Sequence, residues 1–562
     1  MAHDSDRNTL VINLTRFGDL LQSAAALRAL AQKTNGPGTC ENASTPAGKL
    51  GLVCLHNFAA AAAFLPGVTE VFPFPGSAIL TALATQPAMD KTVATKHWSG
   101  ALVALEQWQK TIRESLGEAI LCNITPTLAS KVLAKLLAGE KCVTGFGIDE
   151  HGFGVSTTLW ANFLQATATS RGVSPFNIVD LFRKVAGDTS LARDASLVPP
   201  EDSLRRAMRE KLTLANPQAR GFVALQLGAS EERRRWPAAF FAAVGEALWC
   251  NLGFCPVLLG SGDEKRLAEK YSAAATQPFI SLVGKTSLPE LAAVLQNTAL
   301  LISNDTGTLH LASGLGVPVI GIFLATAQPW DTGPYAQGSI SLEPDMPCHP
   351  CSFGTRCPHD NSCRAAISPR MVTGIAEAVI SGSDPSAAAQ LLEKHDTRIW
   401  RTSRDASGFA DLLSLSGHDT AMRTVWLRLQ RHLYRQFLDR KPDEPFVPAP
   451  FPELPPMPLE TAEQLAHECA TASSMVSALR EQGTMLLTHP LPKITERFWI
   501  SWQRLSAYLR DSSYLPVLSL LWQIETQNCQ EISTAIELAK QYQTLFEAII
   551  RFLPHNARSR QG

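Results

Sequence analysis

Residues 303–323 read SNDTGTLHLASGLGVPVIGIF and place an acid, small hydroxyl residues, a glycine and a histidine between two apolar runs. The first run predicts a strand, and the Asp-Thr-Gly turn after it predicts the start of a helix. The amides of Thr306, Gly307 and Thr308 would then point out of the helix N terminus, and His310 could add a donor. That is the chemistry of a phosphate site. A capped helix with a structural core histidine is the alternative.

A second acidic position follows a glycine in LTRFGDLLQS, residues 14–23. Asp19 falls where a predicted strand passes into a helix, and free helix amides stabilise an anion there. A plain helix cap is one interpretation. In an α/β fold, however, the carboxyl edge of a strand faces the ligand cleft, where a carboxylate can take a proton from a substrate hydroxyl.

Two further loops carry ligand-type residues after predicted strands. QLGASEERRRWP (226–237) contains three arginines before a proline, and LLGSGDEKRL (258–267) contains Gly-Ser-Gly followed by acids. Arginine clusters are usually solvated surface, but a guanidinium at a strand end suits a diphosphate because it binds two oxygens at once. Together with the two acidic positions, four loops of suitable chemistry converge on one predicted edge.

Four of the twelve cysteines lie close together in CHPCSFGTRCPHDNSC. Cys348, Cys351, Cys357 and Cys363 form a C-x2-C-x5-C-x5-C array, which favours a structural zinc or iron site over disulfides in a reducing compartment. Unliganded thiols are the alternative. The other cysteines mostly stand in apolar contexts that predict buried free thiols.

The elements that must position these residues alternate between strands and helices. Strands are predicted in the segments TLVINL, KLGLVCL, EAILCNI and KCVTGFG, and after residue 208 in GFVALQL, FCPVLLG, LLIS and PVIGIF. Such alternation predicts parallel βαβ units. The proline pair at 196–208 suits a hinge between two such sheets, with a ligand cleft between their carboxyl edges.

The predicted fold class is therefore α/β, with two Rossmann-like domains and a third region. We expect an N-terminal acceptor domain at 1–205 and a donor domain at 206–385 that carries the cysteine finger at 348–363. An all-α extension is expected at 386–562, since strand patterns disappear from about residue 390. This extension includes a proline-rich linker at 441–460.

Composition limits the classes of partner. Fifty Lys and Arg residues against 51 Asp and Glu residues give no overall field that would attract nucleic acid. The polar N terminus lacks the pattern of a signal peptide, and no run reaches the length of a membrane span. We expect a cytoplasmic protein with at most peripheral contact at the inner membrane.

The loops resemble those of the glycosyltransferase family 9 heptosyltransferases, which have the GT-B fold of two Rossmann-like domains. The resemblance covers roughly residues 8–382, and the matching segments include RFGDLLQSAAALRAL, LGASEERRRWP, LLGSGDEKRLAEKY and TAQPWDTGPY. Its most specific part is the Asp-Thr-Gly-x-x-His segment. The resemblance implies metal-independent transfer of heptose, with inversion, from ADP-heptose.

The resemblance also implies roles for single residues. Asp19 matches the general base that activates the acceptor hydroxyl, and Arg234 occupies a position where relatives often have lysine. The diphosphate turn is matched by Asp305, Thr306, Gly307, Thr308 and His310, with Asp305 fixing the turn. The nucleotide-ribose contact is matched by Glu264 or, since the alignment there is loose, Asp263.

Similar cysteine fingers occur in several family 9 members and in the related autotransporter heptosyltransferases, where iron is the type of metal. Such a site is expected to brace a loop beside the cleft. His349 and His359 are spare candidate ligands.

The resemblance leaves the acceptor open. A lipopolysaccharide inner-core acceptor is the leading hypothesis, and a serine or threonine hydroxyl of a surface protein is the alternative. An inactive GT-B scaffold is a third. In the extension, Arg423, Arg428, Arg431 and Arg435 lie beside Trp426 and Leu427. This stripe could touch anionic lipid, or it could be one face of a packed helix.

Overall fold

A computed structural model describes residues 8–35, 48–84, 91–168, 171–189, 194–391, 396–441, 444–450, 454–455, 457–527, 529 and 531–553. The first seven residues and positions 442–443, 451–453 and 456 of the predicted proline-rich linker lie outside them. The chain divides into two compact units, one made of residues 1–158 and 177–416 and the other of residues 159–176 and 417–562. No helix in the described part of the chain is both long and apolar enough to cross a bilayer.

The N-terminal part of the first unit is built on a six-stranded sheet. Its strands are β1 (Asn8–Asn13), β2 (Leu50–Leu55), β3 (Glu70–Phe74), β4 (Ala119–Asn123), β5 (Val143–Ile148) and β6 (Gly154–Ser156), in the spatial order β3-β2-β1-β4-β5-β6. All neighbours are parallel except β5 and β6. The apolar runs of the sequence form these strands because a parallel sheet is covered on both faces.

The helices of this part follow the strands. They are α1 (Phe17–Gln22), α2 (Ala24–Asn35), α3 (Gly76–Ala84), α4 (Lys91–Leu116), α5 (Leu128–Ala138), α6 (Leu159–Thr167), which belongs to the second unit, and α7 (Ile178–Val185). Leu10, Ile12, Val53 and Leu121 of the sheet form one apolar core with side chains of α4 and α5. Because β1 lies at the centre of the sheet, the loop after it is held firmly at the carboxyl edge.

A second sheet of eight strands follows in the same unit. It contains β7 (Gly221–Gln226), β8 (Phe254–Leu259), β9 (Ile280–Ser281), β10 (Leu300–Asn304), β11 (Val319–Ile322), β12 (Ile340–Pro344), β13 (Thr397–Arg404) and β14 (Ala410–Ser414). Their spatial order is β14-β13-β12-β11-β10-β7-β8-β9. The strands from β12 to β9 run parallel, so the ends of β7, β8 and β10 meet at one edge.

The helices around this sheet are α8 (Asp202–Ala215), α9 (Ala238–Leu252), α10 (Lys265–Ala274), α11 (Leu288–Leu295), α12 (Gly307–Gly314), α13 (Pro329–Thr332), α14 (Cys363–Ala366), α15 (Pro369–Ser381) and α16 (Pro385–Leu391). Fully buried side chains such as Val223, Ile302, Ile320 and Ile375 make a continuous core. The prediction of two α/β sheets is confirmed.

The prediction of an all-α region from residue 386 is wrong at its start, because β13 and β14 extend the second sheet. β13 pairs antiparallel with β12, and β14 with β13. The strand TRIWRTSR shows no apolar run, since arginines interrupt it. One of them, Arg398, places its Nε 3.3 Å from Oε1 of the buried Glu343.

The second unit is helical and contains α6, α17 (Met422–Leu438), α18 (Leu459–Thr488), α19 (Pro492–Asp511), α20 (Pro516–Gln527) and α21 (Ile532–Phe552). The predicted N-terminal domain, residues 1–205, includes α6, but this helix packs in the second unit. The reason is its composition: LWANFLQAT is apolar on most sides and needs cover from several directions. Trp160 donates a hydrogen bond to Asp439 at 2.7 Å, and the rings of Phe163 and Tyr434 lie 6.3 Å apart.

The arginine stripe of α17 is not a lipid-facing surface. Arg431, Trp426 and Leu427 are buried in the unit, and Arg428 pairs with Asp419 at 2.8 Å. Apolar residues occupy most faces of α17, so its arginines lie between core residues. Their alkyl stems pack there. The alternative interpretation, a packed helix, agrees with this burial.

Candidate functional site

Two helix N termini from the two sheets meet at the centre of the site. α1 follows β1 and carries Asp19 in its first turn, and α12 follows β10 through the Asp-Thr-Gly turn. Both helices approach at a glycine: a Cβ on Gly307 would lie 2.1 Å from Cδ1 of Phe17, and one on Gly18 would lie 3.0 Å from Cδ2 of His310. A side chain at position 307 would not fit this approach, so the helix that carries Asp19 lies against the Asp-Thr-Gly turn.

Asp305 connects two of the predicted site residues. One carboxylate oxygen forms an ion pair with Arg234, and the other lies 3.7 Å from Nε2 of His310. Arg234 also donates through Nη1 to Ser230 at 3.2 Å. The three side chains are largely buried, which strengthens the contact between Arg234 and Asp305 relative to water. Asp305 thus holds the arginine loop against the start of α12.

Asn304 holds both ends of the same loop through hydrogen bonds of its side chain. Its side-chain oxygen accepts from the amide of Trp236 at 2.9 Å, and its Nδ2 donates to the carbonyls of Leu227 and Gly228 at 2.9 and 3.1 Å. The side chain is fully buried. Both ends of the loop 227–236 are therefore fixed by one residue of β10.

Glu264, rather than Asp263, is built into the edge of the site. Its carboxylate accepts from the amide of Ser261 at 2.7 Å and from Nε2 of Gln226 at 3.2 Å. Gln226 in turn accepts a bond from Thr308 at 3.4 Å. A Cβ on Gly228 would lie 1.3 Å from Oε1 of Glu264, so that glycine makes room for the acid. These contacts join the ends of β7 and β8 to the start of α12.

A cavity of about 710 Å³ opens over these groups. Thr306, Thr308 and Glu264 line it among the predicted residues, and Asp263 lines it as well. The first amides of α12 have no acceptor within the helix, and the helix dipole adds positive potential at that end. The cavity can therefore take an anionic group at α12 and hydroxyl groups at the carboxylates.

Sequence analysis missed several residues of this cavity. Arg235, not Arg234, lines it, while Arg234 lies behind it in the ion pair with Asp305. Phe17 and Phe58 form an aromatic wall, with ring centroids 6.2 Å apart. Arg235 belongs to the triple-arginine motif of the sequence. The motif alone does not tell which of its three arginines lines the cavity. Phe58 lies in an alanine-rich 3-10 helix, His56–Phe64, and gave no signal.

His310 does not line this cavity. It is buried and borders a second cavity of about 560 Å³, together with Gln22 and the linker residues Ser196 and Leu197. In this arrangement the histidine contacts Asp305 rather than the space over the α12 amides. The structure thus places it as a support of the turn.

The four cysteines do not line the cavity, and they lie between the end of β12 and the first residue of α14, which is Cys363. Cys363 is buried and the other three are partly buried. The amide of Asn361 donates to Sγ of Cys357 at 3.3 Å, and the amide of Ala325 donates to the sulfur of Cys363. Burial raises the pKa of the Cys351 and Cys363 thiols, and the neighbouring cysteines add to that rise.

This cysteine segment, residues 348–367, is bonded directly to the arginine loop. Arg233 donates to the carbonyl of Thr355 at 2.8 Å, and Arg364 donates to the carbonyl of Arg235 at 2.7 Å. Trp236 donates through its indole to the carbonyl of Ile367 at 3.0 Å. The segment therefore supports the loop that carries Arg234 and Arg235.

The donor chemistry of the four cysteines fits a thiolate metal site. Thiolates are donors that zinc and iron prefer, and main-chain N–H groups are directed at the sulfurs of Cys357 and Cys363. Across the described ranges, however, no three or more His, Cys, Asp or Glu side chains converge as a metal site. His349 is held by Glu343 at 3.1 Å, and His359 is exposed.

The central region of the chain is similar to a known family of proteins. Residues 169–361 match the family described as glycosyltransferase family 9 (heptosyltransferase), which confirms the predicted resemblance for that region. Lipopolysaccharide heptosyltransferase 1 of Pseudomonas aeruginosa is 35% identical over 148 residues, 25% of this chain and 39% of that protein. Lipopolysaccharide heptosyltransferase 3 of Escherichia coli is 32% identical over 151 residues, 26% of this chain and 44% of that protein.

The chain thus spans less than half the length of these two relatives. A solved structure extends the likeness in fold. The glycosyl transferase family 9 protein of Veillonella parvula superposes with a TM-score of 0.51 at 18% identity, over 68% of this chain and 99% of that one. The predicted fold of two Rossmann-like domains with a helical extension is confirmed.

Proposed function

We propose that this protein is an inverting glycosyltransferase that moves heptose from ADP-heptose to a lipopolysaccharide inner-core acceptor. The carrying observation is the meeting of α1, whose first turn contains Asp19, with α12, whose N terminus suits a diphosphate. The similarity to lipopolysaccharide heptosyltransferases supports the choice of donor and acceptor.

In the proposed reaction Asp19 takes the proton of the acceptor hydroxyl. The oxygen attacks the anomeric carbon from the face opposite the nucleotide, and the bond from that carbon to the diphosphate oxygen breaks. ADP leaves with the electron pair of that bond. Because the attack comes from the opposite face, the sugar is transferred with inversion. A half-buried carboxylate at a helix start suits the base, as in other inverting glycosyl chemistry.

The leaving diphosphate needs positive groups. In the proposal the amides of Thr306, Gly307 and Thr308 receive its oxygens at the start of α12, and Arg235 supplies a guanidinium from the cavity wall. Arg234 and His310 act through Asp305, which holds the turn. Glu264 is placed to accept from a ribose hydroxyl. No metal ion is assigned a role in this step.

The test is a product assay. The full chain is incubated with ADP-heptose and deacylated lipopolysaccharide, and products are weighed by mass spectrometry. Asp19→Asn should lower the rate by about 10²–10⁴-fold with ADP affinity unchanged, while the exposed control Asp202→Asn keeps the full rate. An unimpaired Asp19→Asn enzyme would refute the base.

The same assay separates the alternatives for the acceptor. Candidate surface proteins replace the lipopolysaccharide in a parallel reaction, and a mass increase on a serine or threonine peptide would favour a protein O-heptosyltransferase. ADP binding without transfer to either acceptor would favour a scaffold. Turnover of another nucleotide sugar but not ADP-heptose would refute the donor.

We also propose that Cys348, Cys351, Cys357 and Cys363 hold a structural iron or zinc ion. The support is their donor chemistry and the N–H groups directed at two sulfurs. Elemental analysis of the protein purified without chelator should find about one ion per chain. Cys357→Ser should lose it, whereas the exposed Cys250→Ser should keep it. Metal-free native protein would refute the site.

A further inference from the structure

The turn between α18 and α19 carries a concentrated patch of exposed apolar side chains. Five large ones fall within residues 485–500: Met485, Leu487, Leu491, Trp499 and Ile500, each more than 40% exposed. Water contact with so many large apolar groups on one short stretch is unfavourable, and such patches mark interaction surfaces. We call these five residues the hairpin tip.

The hairpin tip is held rigidly by the core beneath it. Leu486, Phe498 and Trp502 alternate with the exposed residues and are buried. The ring of Trp499 packs beside Phe498 and Trp502, with centroids 5.7 and 5.9 Å apart, while 53% of the residue remains exposed. The apolar groups are therefore presented outward by packed helices.

The described end of α21 lies away from this surface. Gly483, near the end of α18, lies against Ile536 near the start of α21, and Arg480 donates to Gln543 further along α21, so the two helices run antiparallel there. The C-terminal end of α21 consequently lies toward the opposite end of α18.

The charges beside the tip favour an anionic lipid surface. Lys493, Arg497 and Arg504 are exposed on α19, where Glu496 is the single acid between residues 492 and 504, and Glu481 of α18 is exposed as well. A tryptophan and leucines bordered by lysine and arginine are typical of helices that lie in the bilayer interface. A second copy would place the same cations against each other, which is unfavourable.

We infer that the hairpin tip anchors the protein to an anionic bilayer, with the apolar side chains inserted and the cations at the headgroups. This deepens the proposed function and rests on it in one respect, because a lipid-linked acceptor would be held at the same surface. The binding itself does not require that function. It replaces the arginine stripe of α17, which is buried, as the membrane-facing surface of the chain.

The test is flotation of the full chain with phosphatidylcholine vesicles, with and without phosphatidylglycerol. We expect binding to the anionic vesicles that Leu491→Ser with Trp499→Ser weakens by about tenfold or more. Lys493→Gln with Arg497→Gln should weaken it less and remove its salt dependence. Matched controls on the α/β unit, Leu214→Ser and Lys110→Gln with Arg113→Gln, should bind like the wild type. Hydrogen exchange should show protection of residues 485–500 on vesicles.

Two results would overturn the inference: absence of vesicle binding, or equal binding by the Leu491→Ser/Trp499→Ser variant. Sedimentation of the free proteins adds a third, since self-association that this variant abolishes would assign the tip to a second copy. In the transfer assay the variant should keep its rate on deacylated acceptor and lose rate on vesicle-embedded acceptor. Failure of all transfer would count against the proposed function, while flotation would still decide the anchor.

Discussion

Adding one methyl group at Gly307, where α1 meets α12, should strongly lower the rate of heptose transfer. In Gly307→Ala the new Cβ would start 2.1 Å from Cδ1 of Phe17, whereas ordinary contact begins near 3.4 Å. The two helix N termini must therefore separate by more than 1 Å. A misplacement of that size between a base and a reacting group can cost about 10²-fold in rate. We expect a loss of about this size in heptose transfer.

Two companion variants make the prediction quantitative. In Gly18→Ala the new Cβ would lie 3.0 Å from a ring carbon of His310, and a shift of a few tenths of an ångström relieves that contact. The loss of transfer rate should therefore stay below about tenfold. Phe17→Ala removes the ring that Gly307→Ala meets. The double variant Phe17→Ala/Gly307→Ala should therefore be faster than Gly307→Ala alone, although Phe17→Ala is itself slowed because Phe17 lines the cavity.

The measurements are the initial rate of transfer and the affinity for ADP by calorimetry. Circular dichroism melts establish that each variant is folded. A fully active Gly307→Ala enzyme would refute the close approach of the two helices. A loss that Phe17→Ala fails to relieve would place the clash elsewhere, and the order Gly18→Ala worse than Gly307→Ala would contradict the geometry.

Two further predictions concern the supports of the site, and a third concerns Lys131, a buried residue of α5. Arg364→Met removes the bond to the carbonyl of Arg235 and should raise KM for the donor about three- to tenfold with kcat nearly unchanged, measured by steady-state kinetics. Asn304→Ala leaves three main-chain groups of the loop without their partner and should lower the unfolding free energy by about 2–4 kcal/mol in urea melts. Burial lowers the pKa of Lys131 below its ordinary 10.5, so the unfolded chain binds more protons and stability should rise with pH through that interval. Lys131→Met should flatten this rise in thermal melts at graded pH; an unchanged slope would contradict it.

Most of the sheet architecture was predictable because buried parallel strands are continuous apolar runs. The strands around β1 and β10 were found in this way. β13 was not, since Arg398 within it contacts Glu343 and Pro344, and no local pattern reveals those contacts. Likewise α6 has the composition of a buried helix, but its sequence position does not tell which core buries it.

The candidate site was predictable in its loops and not in its geometry. Asp19, Thr306 and Glu264 stand at strand ends, where α/β folds bind ligands, so chemistry and position agreed. Whether Arg234 or Arg235 lines the cavity depends on which of them pairs with Asp305. That pairing links residues far apart in the chain, so the sequence does not reveal it. His310 was assigned to the phosphate from its helix position, yet its ring contacts Asp305 and borders the other cavity.

The pairing of Arg234 with Asp305 changes how the site should respond to a ligand. A salt bridge that is largely buried keeps the loop in place before any anion arrives, and it leaves Arg235 to meet the ligand. Arg235 is positioned at its own carbonyl by Arg364 and at its side chain by the carbonyl of Ala229, 3.0 Å from Nε. The order of the loop therefore depends on the cysteine segment on one side and on β10 on the other. Any event that loosens the cysteine segment should weaken donor binding before it affects the proton transfer proposed for Asp19, which is held by a different sheet.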